Sequence, residues 1–126
     1  MNISWKQSHM STQTSTLDKL HLLESLYRQG YQIDVVDLTL DKILSMENAQ
    51  MRQELNMIEV HLLAFEKQYL MFSADFYRRF REGELGDGAD FFEWSAYYDM
   101  AQSLSQRLKT MDRMAAWLRL ASTLTR

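Results

Sequence analysis

Apolar positions along the chain fall into two long stripes with helical spacing. In the first, Met51, Leu55, Ile58, Leu62, Phe65, Tyr69 and Phe72 recur at alternating steps of four and three. In the second, Trp94, Tyr97, Ala101, Leu104, Leu108, Met111, Ala115 and Leu118 do the same. Such a repeat lays one apolar seam along a helix and predicts packing against another seam of the same kind. The pattern predicts a long helix from about Asp34 to about Leu70 and a second from Asp90 toward the end of the chain. At 1.5 Å per residue each is roughly 45–55 Å long. Upstream of Met51 the first stripe continues as Val36, Leu40 and Leu44, then meets Glu47 and Asn48 out of step. A double step of four there is a stutter, which marks a bend, an exposed stretch or a partner contact.

Two shorter elements frame these helices. Leu17, Leu20, Leu23, Leu26 and Tyr27 predict a first helix of about 14 residues, capped by Ser15 or Thr16 and stopped by Gly30. Residues 1–15, rich in Ser, Thr and Gln and without periodicity, read as a flexible tail in which only Trp5 has a side chain suited to docking. Between the long helices, Ser73 is placed to cap a two-turn helix carrying Phe76, Tyr77 and Phe80, with Gly83 as its stop. Asp90 and Glu93 then resemble a capping box for the last helix. The expected fold is all-α. A long, coiled-coil-like antiparallel helical hairpin carries a short N-terminal helix and a short corner helix, as one helical domain over residues 16–126. One short helix cannot cover both outer faces, and off-seam residues such as Val60, Leu63, Met114 and Trp117 point to a homodimer that completes the bundle.

Composition agrees with this and removes several functions. The 126 residues include no proline, four glycines and no cysteine. Little interrupts a helix, and disulfides, thiolate nucleophiles and cysteine-ligated zinc are excluded. The N-terminus lacks the apolar core of a signal peptide, and no run of about 18 apolar residues spans a membrane. A cytoplasmic protein without membrane contact is expected. The net charge of −3 is uneven: residues 34–74 and 75–99 each carry −4, whereas 100–126 carry +4. An acidic body matches a basic protein partner better than DNA or RNA, while the basic end keeps a nucleic-acid-binding regulator as a weaker alternative.

No catalytic constellation emerges from the residues. His9, His21 and His61 are scattered without ligand spacing, and His61 reads as a solvated helix-face side chain. Glu82, Glu84, Asp87 and Asp90 crowd the glycine loop but lack calcium-loop spacing. Arg78, Arg79 and Arg81 have acids nearby to pair with, Asp75, Glu82 and Glu84. No metal, no cofactor and no enzymatic activity are expected. The aromatic corner is the candidate site, with Phe76, Tyr77, Arg79, Phe80, Phe92, Glu93, Trp94 and Tyr98 as candidate partner contacts. Aromatics and arginine dominate desolvated hot spots, although a plug at the hairpin end would use the same side chains.

Three blocks carry a resemblance. They are LLESLYRQGYQIDVVDLTLDKILSMENAQ, then AFEKQYLMFSADFYRRF, then GELGDGADFFEWSAYYDM, together spanning Leu22 to about Leu104. The chain resembles a family of small all-helical bacterial proteins described as antitoxin components of toxin–antitoxin systems. That resemblance implies a non-enzymatic antitoxin that binds and neutralises a small cognate toxin with a basic surface, expected to be a ribonuclease. The alternative is a self-assembling coiled-coil structural or adaptor protein.

Overall fold

The computed structural model describes the backbone of residues 3–124 and the side chains of residues 13–124. Four helices follow in order: α1 (Ile3–Arg28), α2 (Asp34–Tyr69), α3 (Ser73–Arg81) and α4 (Ala89–Leu124). No strand occurs among the described residues, so the all-α expectation holds. No helix of the described residues is long and apolar enough to cross a membrane. The long elements lie where the two stripes placed them. The start of α1 does not. It begins at Ile3, so the segment read as a flexible tail is helical from there onward, with no break at Ser15 or Thr16. Ser, Thr and Gln are weaker helix formers than Ala, but the first glycine is Gly30 and there is no proline to stop the helix. The Trp5 side chain lies outside the described residues.

The helix ends differ in how they close. Gly30 and Gly83 adopt φ of 97° and 76°, the left-handed conformation that closes a helix. The amides that follow reach back across each end, Tyr31 N to Leu26 O at 3.1 Å and Glu84 N to Arg79 O at 3.0 Å. The end of α2 uses the same geometry without glycine. Leu70 sits at φ 52°, and Met71 N donates to Glu66 O at 3.3 Å. A left-handed leucine costs on the order of 1–2 kcal/mol, and its side chain, 90% exposed, recovers nothing by burial.

At the start of α3 the expected cap is replaced by a side chain from a neighbouring helix, and at the start of α4 by a backbone carbonyl. Phe72, in extended conformation, holds the N-cap position of α3 and makes no side-chain cap bond. The Ser73 amide instead donates to the Glu66 carboxylate of α2 at 2.7 Å. At the start of α4 the amides of Phe91 and Phe92 donate to Gly88 O, at 3.0 and 3.3 Å. Asp90 lies inside the first turn, and its carboxylate accepts the Tyr69 hydroxyl at 2.6 Å. It still favours the positive helix end electrostatically, but it does not act as a capping box with Glu93.

The chain falls into two compact units, residues 1–42 and 43–126, divided within α2. In the first, the Tyr27 hydroxyl ties the end of α1 to the start of α2. It donates to Asp37 at 2.7 Å and lies 3.0 Å from Ile33 O and 3.3 Å from Ile33 N. In the second, Met51, Ile58, Ala101, Leu104 and Leu108 form the core, with Leu55, Leu62, Tyr97 and Met111 packed against it. Contacts between α2 and α4 run in opposite order: Arg52 meets Asp112, His61 meets Tyr97, Phe65 meets Trp94, and Tyr69 meets Phe91. The stutter has a structural role here. Arg52 donates to both oxygens of Asp112, at 3.0 and 2.8 Å, and to Asn48 at 2.8 Å. The amide of Asn48 also reaches Asp112 at 3.4 Å. This polar clamp marks the limit of seam burial, for beyond it Leu44 and Leu118 are each more than half exposed.

Candidate functional site

The corner is built on one fully buried aromatic pair. Phe76 of α3 and Trp94 of α4 both have no exposed surface, and their rings stack at 3.8 Å with planes 3° apart. Phe65 and Tyr69 of α2 lie over the same indole, at 5.5 and 5.7 Å. The Trp94 indole N–H is buried with it, and it donates to Ser73 Oγ at 3.0 Å. Ser73 is thus a hydrogen-bond acceptor inside the corner, which explains its burial at a helix start. The α3 helix is held against α4 by this arrangement. Phe76 and Trp94 are therefore core residues, and their expected role in contacting a partner is corrected: a side chain with no exposed surface cannot meet a second protein without unfolding the corner.

The remaining candidates are arranged around this plug. Tyr77 and Tyr98 are half-buried and stack on each other at 4.6 Å, with the Tyr77 hydroxyl donating to Asp99 at 2.7 Å. The Arg81 guanidinium lies 5.5 Å from the Tyr77 ring centre, a cation–π arrangement rather than the acid pair predicted for it. Arg78 pairs with Glu82 at 3.4 Å and Arg79 with Glu84 at 3.1 Å, as the local acids suggested. Exposed pairs of this kind order the surface more than they stabilise it. Phe80, half-buried, meets Phe92 edge-on at 5.5 Å. Phe92 itself is 59% exposed, and Glu93 beside it is exposed. Of the eight candidates, two are core, four are half-buried and two face solvent.

Sequence reasoning missed Leu70 and Phe72, which are 90% and 75% exposed at the turn between α2 and α3. The apolar count makes Phe72 the last seam position. A residue at an N-cap has left the preceding helix, so the helical count cannot place it, and the adjacent Ser73 start was the available signal. For Leu70 no residue-type signal exists. His61 is exposed as expected, but its ring also stacks on Tyr97 at 4.5 Å.

Among the described residues no group of His, Asp and Glu side chains is set to hold a metal ion. Three of the four loop acids are engaged elsewhere: Glu82 by Arg78, Glu84 by Arg79 and Asp90 by Tyr69. No protein-family model, curated protein or solved structure matches the chain.

Three tyrosine–carboxylate bonds leave an electrostatic signature. The hydrogen bond to Asp90 holds the Tyr69 phenol above its usual value of 10.0, with desolvation adding to it. Asp99 does the same to Tyr77, and Asp37 to Tyr27. A raised folded-state value favours the neutral phenol. The stabilisation is therefore complete below about pH 10 and is lost as pH rises through the folded-state values. Phenolate absorbance in an alkaline titration should show Tyr27, Tyr69 and Tyr77 ionising above the usual phenol value. Tyr69→Phe and Tyr77→Phe should each remove one late step; a single transition at the ordinary phenol value would refute these bonds.

Proposed function

We propose that this chain is a non-enzymatic interaction protein of antitoxin type, which neutralises a small basic toxin in the cytoplasm by covering its active surface. In this reading α2 and α4 form an antiparallel hairpin whose bundle is completed by a second copy. The corner is the toxin-facing surface. What supports it most is the contrast within the corner: Phe76 and Trp94 are fully buried, yet Leu70, Phe72 and Phe92 stand exposed beside them. A rigid aromatic scaffold pre-orders the exposed side chains, so a partner pays little entropy to bury them. Leu70 also holds a left-handed backbone at the end of α2 with its side chain 90% exposed, and such local strain is concentrated at binding sites. Residues 75–99 supply a net charge of −4 around these side chains, suited to a partner whose apolar pocket is rimmed by lysine or arginine.

The half-buried Tyr77, Arg79, Phe80 and Tyr98 then support the surface, and the exposed Glu93 and Phe92 belong to it directly. Pull-down and growth rescue with the product of the adjacent gene test this. Phe72→Ala and Phe92→Ala, both at exposed positions, should melt near wild type and each weaken binding about tenfold, a loss of roughly 1.4 kcal/mol. A double variant that still binds and still rescues growth would remove the corner from the interface.

A further inference from the structure

The end of the helix pair remote from the corner carries apolar side chains that α2 and α4 do not cover in each other. Leu44 and Met46 on α2, and Met114, Trp117, Leu118 and Leu120 on α4, are all more than half exposed. From Met114 to Leu124 the only charged residue is Arg119, and apolar side chains point in every direction around the helix. A helix apolar on all sides is a buried helix, and one neighbouring helix cannot cover it. Its seam position Leu118 is 54% exposed, so the pairing with α2 has ended at the Asn48–Arg52–Asp112 clamp.

We infer that this end is the dimer interface, occupied by the same end of a second copy. This rests on the proposed homodimer and adds where it forms and what it does. Two observations favour a second copy. The first is area. Eight large apolar side chains are exposed within residues 43–46 and 114–124. At about 100 Å² each they approach the roughly 800 Å² per partner of a stable interface. The second is charge. The apolar end of α4 carries Arg113 and Arg119, whereas residues 43–47 of α2 carry Glu47 as their only charge. A two-fold arrangement sets the basic α4 end of each copy against the acidic α2 of the other, twice over. The basic flank disfavours the basic partner proposed for the corner. The dimer leaves the corner of each copy free, so the complex with the partner contains two copies of each protein.

The test is the mass of the full chain by sedimentation between about 1 and 100 µM, with and without the corner's partner. The wild type should give twice 15.0 kDa. Leu118→Glu with Trp117→Glu should give 15.0 kDa and weaken self-association at least about 30-fold. If that variant loses its cooperative melt, Arg113→Glu with Arg119→Glu, a change of surface charge only, should still weaken self-association, and Glu47→Arg in the same chain should restore part of it. A wild type that stays monomeric at 100 µM overturns the inference. Variants that remain dimeric overturn it equally. Failure here is distinct from failure of the corner. End variants should lose mass and keep the partner, whereas Phe72→Ala and Phe92→Ala should lose the partner and keep mass.

Discussion

Trp94→Ala should destabilise the protein by about 3–5 kcal/mol, the cost of removing a fully buried large aromatic from a packed site. The indole is the point at which three helices meet. It stacks on Phe76 of α3 and lies beneath Phe65 and Tyr69 of α2. Its N–H is also the partner of buried Ser73. Alanine leaves a cavity, breaks the aromatic stack and strands the serine hydroxyl together. A domain of this size holds only about 5–15 kcal/mol in total, so the loss takes a large share of it. Trp94→Phe keeps a ring over Phe76 but not the bond to Ser73, and should cost about 1–2 kcal/mol. Urea denaturation followed by far-UV circular dichroism measures both. A loss below about 1 kcal/mol for the alanine variant would mean that the indole does not anchor the corner. Binding measurements on Trp94→Ala would report that unfolding rather than a lost contact.

Leu104→Ala should cost about 2–4 kcal/mol, whereas Leu118→Ala, the same change in the same stripe, should cost the isolated chain less than about 0.5 kcal/mol. Leu104 lies in the α2–α4 core at 4% exposure, and Leu118 lies beyond the clamp. The loss for Leu104 should be the same at every protein concentration. Any effect of Leu118→Ala should grow with concentration, because its burial requires a second copy. Unfolding midpoints at several protein concentrations separate the two. Equal losses at low concentration would place both residues in one intramolecular core.

How far the stripes could be read depended on where they found a facing surface. Met51, Ile58, Ala101, Leu104 and Leu108 are core residues, as their spacing required. Leu44, Phe72 and Leu118 follow the same count and are exposed. Periodicity reports which side of a helix a residue occupies. It does not report whether anything lies opposite. The same limit divided the candidate site. Phe76 and Phe92 are the same residue type in the same segment, yet one is fully buried and the other mostly exposed.

The sequence by itself determined the all-α class, the extent of the two long helices and the glycine stops at Gly30 and Gly83. These depend on local quantities: the period of the apolar positions, the absence of proline and the freedom of glycine at positive φ. Only the tertiary structure decided that Glu66 serves the first turn of α3, that Asp90 receives Tyr69, and that Ser73 receives Trp94. Each of those bonds joins residues 7 to 21 positions apart. A polar side chain beside a helix start favours a local cap until a better-placed group from another helix takes the amide, and that competition is settled only once the helices have packed.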